Sequence, residues 1–136
     1  MSNHPGSGSF TASIAPWLTV VISAEAVEFY KIAFGAEEVY RLENGGSVVA
    51  RLSVLGAEFW VGDESAEHFN YSPQGLGGST VRLIFSVADP DGVVDRAVAA
   101  GCTEIYPVAN RHGWRLGRIA DPFGHQWEIG RPPAEA

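Results

Sequence analysis

Hydrophobic and polar positions follow the same order twice along this chain. A short apolar run, WLTVV at 17–21, precedes a stretch with helical spacing of its apolar residues, AEAVEFYKIAF at 24–34, and then a glycine. The second half repeats this order with RLIFSV at 82–87 and PDGVVDRAVAA at 90–100, again followed by glycine. The pattern predicts a strand and then a helix in each half.

The segments that follow the two helices are nearly the same, GAEEVY at 35–40 and GCTEIY at 101–106, which sets an offset of 66 residues between the halves. Two further alternating stretches follow in each half, and the second pair is joined by the turn DPFG at 121–124. Each half therefore has the order βαβββ. We predict an α+β fold in which two tandem βαβββ modules form a curved mixed sheet around a cavity, with helices on the outer faces.

These patterns divide the chain into a tail and one domain. Residues 1–13, rich in Gly, Ser and Pro, are expected to form a flexible tail, and residues 14–132 a single domain. Within that domain we place module one at 14–63, a polar and glycine-rich linker at 64–80, and module two at 81–132.

Composition narrows the classes of function. The net charge is -7, with 9 Lys and Arg against 16 Asp and Glu, so a nucleic-acid backbone would be repelled and we expect no nucleic-acid partner. Apolar runs such as LTVVI are far shorter than the roughly 20 residues that cross a bilayer, so we expect no membrane partner. The start, MSNHPGSGS, lacks the basic and apolar segments of a secretory signal.

The single cysteine, Cys102, excludes an internal disulfide and is compatible with a reducing compartment, so we expect a cytoplasmic protein. The repeat pairs Cys102 with Ala36. We therefore interpret Cys102 as a small filler after a helix and not as a reactive thiol.

Several motifs carry a resemblance to a known family. They are FGA after the first helix, RLIFSVADPDGVVDRAVAAG, and above all GWRLGRIADPFGHQWEIG, which ends in a strand with a glutamate. Over roughly residues 14 to 132 the chain resembles the vicinal oxygen chelate superfamily, in particular its glyoxalase-like and bleomycin-resistance-like members and related dioxygenases. Shared fold does not fix the activity of a member.

The resemblance implies a divalent metal held by one residue on the first strand and one on the last strand of each module. Laying one last strand on the other, at an offset of 68, places Trp60 opposite Glu128. On the first strands, Pro16 and Arg82 fall at the other two positions, within one residue. Only Glu128 is a usable donor, so we expect neither a metal nor another cofactor.

Two loop histidines leave an alternative open. His68 in the linker or His112 before the seventh strand would have to fold back to Glu128 to rebuild a metal site. Scattered histidines are more often surface or turn residues than ligands, so we favour the metal-free interpretation.

Strand alternation predicts the residues that line the cavity. If Glu128 faces the cavity, a period of two places an apolar wall with a few polar groups there: Leu18, Val20, Trp60, Arg82, Ile84, Ser86, Gln126 and Glu128. On the seventh strand, Trp114 and Arg118 share one parity and are expected at its border, whereas Arg115 is not.

Several of these side chains have two interpretations. Trp60 offers a stacking surface and a cation-π partner to a ligand, or it fills the cup as core. Arg82 and Glu128 pair with each other in an empty cup, or they meet charges on a ligand. Trp17 and Trp127 are expected beneath the helices, and Asp121 is expected to cap backbone amides of its turn.

Our leading hypothesis is a metal-free protein that sequesters a small aromatic or cationic ligand, an antibiotic or a metabolite, and we favour binding over catalysis without excluding an enzyme. The resemblance to the bleomycin-resistance branch implies a homodimer in which the partner subunit completes the cleft. The alternative is a metal-dependent lyase, isomerase or dioxygenase of the glyoxalase type that uses Glu128 as base or ligand.

Overall fold

A computed structural model describes residues 9–134, so residues 1–8 of the expected tail lie outside it. Module one consists of β1 (Trp17–Val20), α1 (Ser23–Phe34), β2 (Glu37–Asn44), β3 (Ser47–Val54) and β4 (Ala57–Asp63). The linker contains a 3-10 turn (Ala66–His68) and the short helix α2 (Pro73–Leu76). Module two consists of β5 (Arg82–Ser86), α3 (Pro90–Ala100), β6 (Thr103–Arg111), β7 (Trp114–Ala120) and β8 (Gln126–Arg131).

Each module forms one four-stranded mixed sheet, with strand orders β1-β4-β3-β2 and β5-β8-β7-β6. The first strand of each module pairs in parallel with the last, and the other neighbours are antiparallel. A parallel pair requires a long crossover, which the helix of each module and the strands after it provide. The predicted α+β fold of two tandem βαβββ modules is confirmed, and its eight strands form two four-stranded sheets where one curved sheet was predicted.

The two long helices begin in different ways. Asp89 caps α3, because its Oδ1 accepts from the Gly92 amide at 3.1 Å and Pro90 follows at the first helical position. The residue before α1 supplies no side-chain cap. Instead Asp63, at the end of β4, accepts from the Ser23 amide at 2.6 Å and from the Val48 amide at 3.2 Å.

The core lies where the helix-side faces of the two sheets meet around α1. The Trp127 ring on β8 has its centroid 4.8 Å from that of Phe34 on α1 and 5.4 Å from that of Phe59 on β4. Tyr30 on α1 lies 5.9 Å from the same indole. Helix α1 also packs against α3. One aromatic cluster therefore joins both modules.

A buried carboxylate fixes this junction. Asp121, 4% exposed, accepts at Oδ1 from the amides of Phe123 and His125, both at 3.0 Å. Its Oδ2 accepts from the Tyr30 hydroxyl at 2.5 Å and from Trp127 Nε1 at 3.0 Å. The predicted turn-capping role of Asp121 is confirmed, and the same side chain also links the modules. Burial, together with the Asp121 charge, raises the pKa of Tyr30 well above its ordinary value.

Cys102 lies in the same core and is 5% exposed. Burial, with a further contribution from the charge of Asp121, raises the pKa of its thiol to about 12. A thiol with so high a pKa is a poor nucleophile at neutral pH, which agrees with a filler role. Among residues 9–134, no helix is long and apolar enough to cross a membrane.

Candidate functional site

Each sheet turns one face toward the helices and leaves the other open. We call the open face of the first sheet the module-one face. The strand register places the side chains of Trp17, Tyr40, Arg51, Glu58 and Trp60 on it. The rings of Trp17 and Trp60 stack with centroids 6.1 Å apart and an interplanar angle of 13°. Tyr40 meets Trp60 edge-on at 5.8 Å.

A glycine makes room for this stack. Gly62 follows Trp60 by two residues on β4, and a Cβ built at Gly62 would overlap the indole of Trp17. The missing side chain lets Trp17 lie flat against the sheet beside Trp60. Trp17 stays 47% exposed, so the module-one face presents an aromatic surface to its surroundings.

Arg51 lies over the Trp60 ring, where the cation of a ligand would be expected. Its Cζ lies 5.4 Å from the Trp60 ring centroid, and its Nε is 3.5 Å from Glu58 Oε1. The cation-π contact that the sequence suggests for a ligand is thus already made by a side chain of the same face.

We call the open face of the second sheet the module-two face, and its centre is Glu128. Oε1 of Glu128 accepts from Arg82 Nε at 2.6 Å and from Arg118 Nη2 at 3.0 Å. Arg118 Nη1 lies 3.5 Å from Gln126 Oε1. The predicted pairing of Arg82 with Glu128 is confirmed, and Arg118 is a second partner of that carboxylate.

A tyrosine holds two more guanidinium contacts on the module-two face. The Cζ atoms of Arg118 and Arg111 lie 5.2 Å and 5.8 Å from the ring centroid of Tyr106. Tyr106 pairs with Arg118 across β6 and β7, so it orients the arginine that contacts Glu128.

The remaining predicted residues also lie on this face. Ser86 pairs with Gly130 on β8 and is exposed. Trp114 is half-buried and approaches Gly130 closely, at the position that corresponds to Gly62 in module one. Arg115 points to the other side, where both its Nε and its Nη2 contact Asp91 of α3 at 2.7 Å. That contact lowers the pKa of Asp91.

The first strand departs from the prediction. Leu18 and Val20 were expected in the cavity, but they are 4% and 0% exposed and belong to the helix-side core. Trp17, expected beneath the helix, lies on the open face. The reason is the register of the first strands. Trp17 pairs with Trp60 and Ile84 pairs with Glu128, so the first strands correspond at an offset of 67 and not at the offset of 66 set by the repeat. A shift of one residue turns every side chain of a strand to the opposite face.

Sequence reasoning also missed several residues of the two faces, among them Tyr40, Arg51, Tyr106 and Arg111. The two tyrosines end the repeated segments GAEEVY and GCTEIY, so the signal was visible in the sequence. Their role was not visible, because it depends on the cross-strand neighbours Trp60 and Arg118.

In one chain the two faces approach each other at Glu58 and Arg82, which line a common cavity. Within the described part of the chain, no hydrogen bond, ion pair or aromatic contact joins the module-one face to the module-two face. Two apolar cavities lie between the modules, one between β4 and β5 and one between β1 and β5. One of about 460 Å³ contains Glu58 and Arg82, and one of about 380 Å³ lies under the linker residues Tyr71 and Leu76.

The residues do not fit the metal that the resemblance implies. Strand pairing sets Trp17 beside Trp60 and Ile84 beside Glu128, and only the last of these four is a metal donor. The Glu128 carboxylate is bound by two arginines. Over residues 9–134, no three His, Cys, Asp or Glu side chains come close enough to hold an ion.

The histidines have other roles. Nδ1 of the exposed His68 lies 2.8 Å from Ser65 Oγ, within the linker. His112 is an exposed turn residue with a φ of 52°. His125 is buried, and its Nε2 lies 2.9 Å from the Thr19 carbonyl oxygen.

Comparison with known proteins agrees with this architecture. The Mycobacterium bovis protein Mb0911c, described as uncharacterised, is 33% identical over 129 residues, covering 90% of this chain and 85% of that protein. The crystal structure of TioX from Micromonospora sp. ML1 superposes with a TM-score of 0.71 at 27% identity, covering 89% of this chain and 98% of TioX.

The fold is also that of a metal-containing protein. FosX of Listeria monocytogenes, a fosfomycin resistance protein solved with manganese(II) and sulfate, gives a TM-score of 0.64 at 17% identity, covering 90% of this chain and 93% of FosX. At that identity the likeness concerns the fold alone.

A family model covers most of the domain. The model described as Glyoxalase/Bleomycin resistance protein/Dioxygenase superfamily matches residues 14–129. This chain therefore belongs to the glyoxalase/bleomycin resistance protein/dioxygenase superfamily.

Proposed function

We propose that this protein is a metal-free, small-molecule-binding member of its superfamily, of the bleomycin-resistance type, which sequesters an aromatic antibiotic or metabolite. The observation that carries the proposal is the stack of the exposed Trp17 on the half-buried Trp60, at positions where a metal site would need donors. An indole pair on an open sheet is suited to stack on a planar ligand.

The proposed binding unit is a homodimer, because each face is open in a single chain. By strand register, the module-one face carries Arg51 with Glu37 and Glu58. The module-two face carries three arginines and Glu128. Opposite charge balance favours the module-one face of one copy opposite the module-two face of the other. Such a pairing would enclose a ligand between the stacked indoles and the arginines.

The aromatic ligand is favoured over the cationic one. A cationic ligand would need Glu128 as its counter-charge, but two arginines already bind that carboxylate. Displacing these guanidinium groups would leave their charges without partners.

A panel of aromatic antibiotics, scored by melting shift and tryptophan quenching, tests the binding function. We expect Trp60→Ala to abolish the shift produced by any binder. Phe69→Ala, which removes an 80% exposed ring from the linker, should retain it. Unchanged binding by Trp60→Ala would remove the stacking site from consideration.

Sedimentation equilibrium tests the dimer. Ile84→Glu introduces an acid at a position that is 67% exposed in one chain, so the chain should fold, but the dimer should dissociate. Ile32→Glu, at a 65% exposed position on α1, should remain dimeric. A wild-type protein that is monomeric at high concentration would contradict the enclosed site.

The alternative, a metal-dependent lyase, isomerase or dioxygenase, has its own test. Metal analysis of protein purified without chelator should find no stoichiometric divalent ion. A stoichiometric ion that Glu128→Gln removes together with turnover would reverse the ranking of the two functions.

A further inference from the structure

We infer that the ligand of the proposed site carries an anionic group, and that Arg82 and Arg118 of the module-two face bind it. This inference rests on the proposed function, since the aromatic part of the ligand would lie on the indole pair. It replaces the cationic ligand with one of opposite charge.

The local charge of the module-two face supports an anion. Strand register places Arg82, Arg111 and Arg118 on this face, and among the described residues Glu128 is the one acid that it places there. The face therefore has an excess of positive charge, although the whole chain has a net charge of -7. A positive patch on an acidic protein attracts small anions locally and not a polyanion.

The guanidinium groups retain free donors. Glu128 accepts both arginines at the same oxygen, Oε1. Within residues 9–134, Arg82 makes no hydrogen bond except the one from Nε, and Nε of Arg118 is buried without a partner. The Arg82 side chain is 51% exposed, so its Nη groups can donate to a ligand oxygen.

The geometry around these donors is fixed in advance. Tyr106 lies against both Arg118 and Arg111, which restricts the guanidinium planes. A planar fork of N–H groups matches the paired oxygens of a carboxylate, sulfate or phosphate. Because the arginines are already ordered, less conformational entropy is lost when the anion binds.

Glu128 then acts as an internal competitor of the ligand. Its carboxylate occupies the arginines when the site is empty, as a ligand carboxylate would when the site is filled. Neutralising Glu128 should strengthen the binding of an anion. A site for cations requires the opposite response.

Three naphthalene probes of matched shape test the inference: 1-naphthoate, neutral 1-naphthamide and cationic 1-naphthylmethylamine. Their binding to the full-length protein is measured by tryptophan quenching and calorimetry. We expect naphthoate to bind about tenfold more tightly than naphthamide, and the amine to bind most weakly. Inorganic sulfate should compete with naphthoate and not with naphthamide.

Variants assign the preference to the arginines. Arg118→Gln and Arg82→Gln should each bring naphthoate close to the affinity of naphthamide, whose binding should not change. Glu128→Gln should bind naphthoate about threefold more tightly. The control is Arg41→Gln, because Arg41 pairs with Glu38 and Glu43 away from both faces.

The outcomes separate the two proposals. Equal affinity for naphthoate and naphthamide, or tighter binding of the amine, would overturn the anion inference and leave the aromatic site in place. Failure of all three probes to bind would overturn both proposals. Loss of naphthoate binding in Glu128→Gln would show that the acid serves the ligand directly, which contradicts the inference.

Discussion

The two modules resemble each other on their helix-side faces and differ on their open faces. On the helix side, Phe59 and Trp127 occupy matching places on β4 and β8 and touch each other. On the open side, the next residues along these strands are Trp60 and Glu128, an indole and a carboxylate. The helix-side faces form the core, which requires similar side chains in both modules. The open faces are outside that core, so their side chains can differ and serve binding.

The ends of the same strands show a further divergence. Asp63 ends β4 and accepts from the Ser23 amide, whereas Arg131 ends β8 and donates to the Ala88 carbonyl oxygen at 3.2 Å. Both contacts secure the segment at the start of a helix, with opposite charges. Helix α3 needs no carboxylate from β8, because Asp89 caps it.

The largest expected effect is on stability, from a substitution in the core that joins the two modules. Asp121→Ala would leave four donors without their acceptor in the core, so we expect a loss of about 3 kcal/mol or more in the free energy of unfolding. Urea denaturation measures it. Asp95→Ala, on the exposed surface of α3, should change the stability by less than about 0.5 kcal/mol.

A smaller effect compares two tyrosines, Tyr30 in the core between the modules and Tyr106 on the module-two face. Tyr30→Phe removes the buried hydroxyl that donates to Asp121, and should cost about 2 kcal/mol in urea denaturation. Tyr106→Phe removes a hydroxyl from the open side, where the ring is 49% exposed, and should cost less than about 0.5 kcal/mol. Equal costs would contradict the division between the two sides.

Gly62→Ala tests how the module-one face is built. The added Cβ should push Trp17 off the sheet, weaken the stack with Trp60, and cost about 1 kcal/mol. Circular dichroism measures the loss of coupling between the two indoles. Gly78→Ala, where a Cβ would meet nothing within 4 Å, should leave the coupling intact.

The smallest effect is the acid sensitivity of the Asp63 contact at the start of α1. Partial burial opposes the ionisation of Asp63, but amide hydrogen bonds from Ser23 and Val48 outweigh it and hold the pKa below its ordinary value of 3.8. A depressed pKa contributes stability above pH 3.8, and this contribution is lost as the pH falls through the folded-state pKa.

We therefore expect the melting temperature to fall as the pH drops from about 5 to about 3, with a shallower slope in Asp63→Asn. Asp95→Asn, whose carboxylate makes no hydrogen bond within the described range, should keep the wild-type slope. An identical slope in the two variants would show that Asp63 does not contribute to the acid sensitivity of the melting temperature.

Much of the fold was predictable because the sequence contains the same module twice. The repeated order of strand, helix and glycine defined both modules, and the DPFG turn located Asp121. The last strands have clear alternation with a charged residue on one side, so the orientations of Trp127 and Glu128 followed from a period of two.

The first strand was harder for a physical reason. Between Trp17 and Val20 every residue except Thr19 is apolar, so no charged side chain marks the exposed side. The alignment of β1 with β5 was therefore off by one residue, so Leu18 was predicted on the open face in place of Trp17. Contacts across strands, such as Arg51 over Trp60, depend on register and could not be derived from alternation alone.

The junction made by Tyr30, Asp121 and Trp127 uses no side chain from either open face. Substitutions on those faces should therefore leave the assembly of the two halves undisturbed. The protein is therefore a scaffold in which the binding surface can be redesigned for a new molecule without changing the residues that hold the fold together.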